Sequence, residues 1–169
     1  VIYLDNAATT WPKPEAVYRE TDRFFRLEAA NPGRSSHRMA LAAGQVIQRT
    51  RLGLARLFHV EAPERIVFAM NATDALNTAL KGLLRPGDHV VTSSMEHNSV
   101  IRPLKALEGR GVTTTRVGAS RTGWLDPGGI RRAVTPKTRM IVTTHVSNVT
   151  GTIEPLNDIG SLARECGLL

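Results

Sequence analysis

From position 65 onward the chain switches repeatedly between strand-like apolar runs and helical spacing, and that alternation restricts it to an α/β fold on a mainly parallel sheet with flanking helices. Arg65 to Ala69 reads as a buried strand and Thr73 to Leu84 as a helix. Pro86-Gly87-Asp88 turns into a strand over His89 to Thr92, and Asn98 to Arg110 is helical, ended by Gly111. Val112 to Val117 alternates as a strand does, Thr122-Gly123 turns, and Asp126 caps a short helix reaching Val134. A strand over Thr138 to Thr144 and a helix over Leu156 to Glu165, ended by Gly167, complete the pattern. Leu168-Leu169 reads as the start of a further buried strand, so a fragment of a larger sheet is expected.

The first third is helical. Pro12 and Pro14 suit the first turn of a helix over Lys13 to Leu27, with Val17, Phe24 and Leu27 toward a core. The run Asn31-Pro32-Gly33-Arg34-Ser35-Ser36 breaks it. A long amphipathic helix then reaches Phe58, its apolar positions being Met39, Ala43, Val46, Ile47, Leu54 and Leu57. Two parts are expected: an N-terminal segment and helix over 1–30, and the beginning of a large domain over 31–169.

Composition excludes several classes. The 169 residues hold no apolar run long enough for a membrane helix, and Val1 to Thr10 do not resemble a secretory signal. The one cysteine, Cys166, allows no internal disulfide and fits a reducing cytoplasm; at helical spacing from Leu162 and Ala163 it reads as a small core residue. The net charge of +7 raises nucleic acid as a partner. However, Arg19, Arg23, Arg26, Arg34, Arg38, Arg49, Arg51 and Arg56 are spread along helices, and aromatics make up only 5%. A solvated arginine-rich surface, hospitable to phosphate, fits better than a nucleic-acid interface.

Ligands of open α/β sheets bind beyond the carboxyl ends of the strands. Three polar clusters follow predicted strands. Met70-Asn71-Ala72-Thr73-Asp74 opens a helix whose free N–H groups and dipole favour a phosphate, unless Asn71 or Thr73 simply caps it. Ser94-Met95-Glu96-His97-Asn98-Ser99 offers an imidazole that can lie against a planar ligand and move protons; the alternative is a solvated loop with Asn98 or Ser99 as cap. His145-Val146-Ser147-Asn148-Val149-Thr150-Gly151-Thr152 offers an amide for a ligand oxygen, or else is a turn-rich connector. A flat, phosphorylated ligand ringed with polar atoms would satisfy all three, and no metal-ligand spacing competes.

In this order, Tyr3-Leu4-Asp5-Asn6-Ala7-Ala8-Thr9-Thr10, Asn31-Pro32-Gly33 with Ser36-His37, Asn71-Ala72-Thr73, Glu96-His97-Asn98 and the His145–Thr152 run resemble the cysteine desulfurases, class V aminotransferases of the fold-type-I pyridoxal-phosphate group. The resemblance spans essentially the whole chain. It implies the incomplete large domain of that fold, with pyridoxal 5'-phosphate (PLP) as cofactor. It implies that Ala72 and Thr73 hold the phosphate, that His97 stacks on the ring and relays protons, and that Asn148 bonds the phenolic oxygen. Ala7, Ala8 and His37 would line the substrate entrance, the alternative for His37 being a helix-start residue after a Ser36 cap. The reaction implied takes sulfur from L-cysteine to an enzyme thiol, leaving alanine and a persulfide. A homodimer and a sulfur-acceptor protein are the implied partners.

The resemblance also implies parts with no counterpart here: an aspartate for the pyridine nitrogen, the cofactor-anchoring lysine, the persulfide cysteine and an arginine for the substrate carboxylate. Lys13, Lys81, Lys105 and Lys137 are poorly placed to substitute; Lys81, for instance, lies eight residues past Thr73, roughly 12 Å along a helix. The chain alone is therefore expected to be inactive. Other class V enzymes, such as a selenocysteine lyase or an aminotransferase, stay open, as does a truncated, non-catalytic paralogue acting as a binding module. A Rossmann domain ranks below these, because no G-x-G-x-x-G follows a strand.

Overall fold

The computed structural model describes residues 1–33 and 36–169; Arg34 and Ser35, part of the turn-rich loop above, lie outside the described residues. The chain divides into two compact units, Val1–Phe68 and Ala69–Leu169.

The first unit holds α1 (Glu15–Leu27), α2 (Arg38–Leu57) and a 3₁₀ turn at Pro63–Arg65. Pro14 stands at the N-cap of α1, the position that loses nothing by lacking an N–H. One expectation fails here. α1 has no buried residue: Val17 and Leu27 are exposed and Phe24 only half-buried. In α2 the buried positions are Ala40, Ala43 and Ala55, whereas Met39, Ile47 and Leu57 are exposed. Helical spacing makes an apolar stripe, but it does not supply the surface that would bury it.

The expected strand over Arg65 to Ala69 is also absent. Val67 is exposed, and the carbonyl of Ile66 accepts from Nε of Arg51 at 3.0 Å instead of from a neighbouring strand. The same guanidinium lies 5.4 Å from the Phe68 ring centroid.

The second unit carries the expected architecture. Its order is α3 (Ala72–Leu83), β1 (His89–Ser93), α4 (Asn98–Glu108), β2 (Thr113–Val117), α5 (Pro127–Ala133), β3 (Thr138–Val142) and α6 (Leu156–Glu165). The strands form a parallel sheet in the order β2-β1-β3. β1, the central strand, is buried throughout, its polar His89, Thr92 and Ser93 included. Successive side chains point to opposite faces. Val90 packs with Leu80, Leu84, Val100, Leu104 and Leu107 of α3, α4 and their flanks. Val91 packs on the other face with Leu125, Ile130, Ile159 and Leu162, beneath α5 and α6. Each fully buried leucine or isoleucine in these layers contributes about 1.5–3 kcal/mol.

Beyond α6, Gly167 turns the chain at φ +64, and Leu169 hydrogen-bonds alongside β3, donating to Arg139 O and accepting from Ile141 N. Cys166 is exposed at the C-cap of α6, contrary to its expected core position. The helix ends at Glu165, just before the stripe through Ile159 and Leu162 would have reached it.

Candidate functional site

In a parallel layer of this kind, α3 and α4 run opposite to the strands, so their N-termini lie at the carboxyl end of the sheet. Asn71 caps α3: its Oδ1 accepts from Asp74 N at 2.9 Å, while Asp74 Oδ2 accepts from Met70 N at 3.3 Å. This settles the capping alternative in favour of Asn71 and leaves Thr73 exposed. Among the described residues no protein acceptor is recorded for the N–H groups of Ala72 and Thr73, the donors that a helix start leaves over. An anion there meets two N–H groups, a hydroxyl and the positive end of the helix dipole.

His97 itself, rather than Asn98 or Ser99, is the N-cap of α4. Its Nδ1 accepts from Ser99 N at 3.1 Å and lies 2.8 Å from Ser99 Oγ. A backbone N–H can only donate, so the proton of the neutral imidazole sits on Nε2.

Thr73 and His97 line one cavity of about 330 Å3 between α3 and α4, together with Asn77, Lys81, Ser99 and Arg102. That volume falls at the small end of the ligand-site range, roughly 300–1,000 Å3. Two cationic side chains and a helix N-terminus on one cavity suit an anionic group. Lys81 and Thr73, two turns apart on α3, thus share a cavity wall although Lys81 lies further along the helix.

Asn148 belongs to the loop after β3, which closes on itself. Val146 and Ile153 form an antiparallel bridge, and Ser147 N donates to Thr152 O at 3.0 Å. The buried Ser147 accepts through Oγ from the N–H groups of Val149 and Thr150, and Asn148 is exposed between them.

Side chains tie this loop to its neighbours. Glu154 is 3% exposed and accepts from Leu125 N through Oε2 at 2.9 Å. Thr152 Oγ1 donates to Thr122 O at 2.7 Å, and Ala119 N donates to Ser94 Oγ at 3.0 Å. Glu96 Oε1 accepts from Ser93 Oγ at 2.6 Å and from Thr144 N at 2.8 Å. Burial pushes the Glu96 carboxyl above the usual carboxylate range; its hydrogen bonds oppose that rise and the charge of Glu154 adds to it. Sequence reasoning gave Glu96 and Glu154 no role in the site. Only the acid set between Ile153 and Pro155 hinted at a buried, partnered carboxylate.

The remaining expected site residues lie in the first unit. Ala7 and Ala8 sit in an exposed turn in which Ala8 N donates to Asp5 O. His37, and not Ser36, caps α2, its Nδ1 accepting from Ala40 N at 3.2 Å. Among the described residues no group of three or more His, Cys, Asp or Glu side chains is placed to hold a metal ion. No helix among them is long and apolar enough to cross a membrane.

Comparison with known proteins shows the family to which the chain belongs. A protein of Methanothermobacter thermautotrophicus described as "Probable cysteine desulfurase" is 38% identical over 99% of this chain and 42% of its own length. The "Cysteine desulfurase IscS" of Anaeromyxobacter sp. is 34% identical over the same shares. Among solved structures, "SspA in complex with cysteine" superposes with a TM-score of 0.88 at 31% identity, covering 99% of this chain and 49% of that one. The apo cysteine desulfurase of Thermococcus onnurineus gives 0.89 at 27% identity, covering 100% and 42%. The chain thus spans less than half the length of the relatives it matches. The family model described as "Aminotransferase class-V" matches residues 2–169, and the chain belongs to that family.

Proposed function

We propose that this chain is the N-terminal part of a PLP-dependent cysteine desulfurase, with residues 31–169 beginning the cofactor-binding large domain. The observation that carries the reading is the shared cavity of Thr73 and His97, which pairs an anion-holding helix start with an imidazole. PLP fits these residues: its phosphate matches the free N–H groups of Ala72 and Thr73, with Lys81 and Arg102 as further positive charge on the cavity. When bound, PLP supplies an electron sink for the pair released at the substrate α-carbon.

The chain's own residues then have distinct work. Ala72 and Thr73 bind the phosphate. His97 offers a ring face for stacking and holds a transferable proton on Nε2, while Ser99 fixes Nδ1. Asn148 donates to the phenolic oxygen from the tip of its loop. Ala7, Ala8 and His37 line the substrate entrance. The overall reaction moves the sulfur of L-cysteine onto an enzyme thiol, giving alanine and a persulfide. Support for L-cysteine comes from the names of the relatives and from the cysteine complex among the similar structures. A homodimer, a cytoplasmic location, a sulfur-acceptor protein and service to iron–sulfur assembly belong to the same reading.

The test measures alanine and persulfide formation by the protein carrying this chain, supplied with PLP and L-cysteine. L-Selenocysteine and amino-donor pairs run in parallel. Cysteine turnover that falls by about 100-fold in His97→Ala is expected, in the range of a lost acid–base group. Failure of the wild-type protein to take up PLP sinks the reading, and preference for another substrate moves it within the family.

A further inference from the structure

We propose that Glu96 is a positioning residue whose carboxyl group joins the loop leaving β1 to the loop leaving β3, and so fixes the spacing of His97 and Asn148. The inference rests on the roles given above to those two residues. The last registered pair between β1 and β3 is Thr92 with Val142. Beyond it the ladder stops, and the next rung is a side chain: Oε1 of Glu96 accepts from Ser93 Oγ at 2.6 Å and from Thr144 N at 2.8 Å. Ser93 is the fully buried last residue of β1, and Thr144 lies two residues past the end of β3. His97 follows Glu96 directly, and Asn148 lies four residues beyond Thr144.

The geometry favours positioning over proton transfer. Both donors converge on one oxygen, so a proton on Oε2 leaves the link intact. Glu96 is also not among the residues lining the cavity shared by Thr73 and His97. Glutamine keeps Oε1 as a carbonyl and keeps the length of the side chain, so it preserves the link, whereas alanine abolishes it. A proton-transfer role predicts the reverse for glutamine.

The experiment compares Glu96→Gln and Glu96→Ala with wild type in the protein carrying this chain. Amide hydrogen exchange at Thr144 is read without PLP, and PLP affinity, kcat and KM for L-cysteine are read with it. Glu96→Gln is expected to match wild type in every measurement. Glu96→Ala is expected to speed Thr144 exchange and to lower kcat roughly 10- to 100-fold, the scale on which misplaced groups and lost supporting contacts act. If Glu96→Ala does not fold, Glu96→Asp, one methylene too short to reach both donors, replaces it with the same expectations. A glutamine variant as impaired as the alanine variant overturns the proposal. So does an alanine variant with unchanged Thr144 exchange. A wild-type protein that neither binds PLP nor consumes cysteine refutes the functional reading instead, and the exchange comparison still decides whether the link exists.

Discussion

Gly123 gives a sharp test of how the loops at the sheet edge are packed. It adopts φ +85, and a Cβ placed on it would stand 2.9 Å from Thr152 Oγ1, 3.0 Å from Met95 Cε and 3.2 Å from Thr150 Oγ1. The Met95 methyl ends a flexible side chain and can move at small cost. Thr152 cannot move freely, because its Oγ1 donates to Thr122 O at 2.7 Å. For Gly123→Ala the left-handed backbone costs about 1–2 kcal/mol. Loss of the Thr152 bond adds about 1 kcal/mol, and the stiffer unfolded chain returns roughly 0.4–1 kcal/mol. The net loss is about 2 kcal/mol, or a fall of about 1 M in the urea midpoint at a slope of about 2 kcal/mol/M. Trp124 is the neighbouring residue and Trp11 the only other tryptophan, so urea unfolding followed by fluorescence in a Trp11→Phe background reports on this turn. A destabilisation below about 0.5 kcal/mol, the ordinary scatter of a neutral surface change, would refute the claim that Thr152 is pinned.

Two further outcomes follow from the interior of the second unit. Leu104 is fully buried among Val90, Val100 and Leu107, so Leu104→Ala is expected to cost about 2–5 kcal/mol in chemical denaturation. His89 is 5% exposed, with Nδ1 2.7 Å from Thr138 Oγ1 and Nε2 2.9 Å from Thr115 Oγ1, and its burial holds its pKa below the usual histidine range. The unfolded chain then binds the proton first, so this contribution to stability is complete above about pH 6.5 and declines as pH falls toward the lowered folded-state value. Glu96, shifted upward, has the opposite slope: its contribution is complete below the ordinary carboxylate value and lost as pH rises through the raised one. Urea unfolding of wild type and His89→Gln at pH 7 and pH 5 isolates the histidine, and equal pH dependence in the two proteins would exclude it.

Elements whose boundaries are written in local chemistry were legible in the sequence. β1 announces itself by a buried run after Pro86-Gly87-Asp88, α5 by the Asp126 cap, and α6 by its stripe and Gly167. Arg65–Ala69 misled because an apolar run does not state whether a partner strand exists. The histidine caps misled because imidazole is an uncommon cap, and Asn98, Ser99 or Ser36 stood ready as commoner ones. The links made by Glu96 and Glu154 join residues 48 and 29 positions apart, a distance at which no local pattern identifies a partner.

The polar clusters were nonetheless visible, and the structure explains their composition in two layers. Thr73, His97 and Asn148 are exposed, while Ser93, Ser99, Ser147 and Glu154 beside them are buried. Beyond the strand ends, backbone N–H groups such as those of the half-buried Thr144 and the buried Leu125 have no backbone acceptor, and a side chain supplies one. Glu96 and Glu154 supply those acceptors, and the buried Ser147 accepts from the N–H groups of the exposed Val149 and Thr150. Apolar packing in these positions would exclude water but leave the N–H groups unsatisfied, at about 1–3 kcal/mol each. A sheet edge that must both hold its loops still and keep a few polar side chains facing outward is therefore driven to place serine and glutamate beneath them. That requirement, more than the ligand itself, accounts for the density of polar residues after β1 and β3.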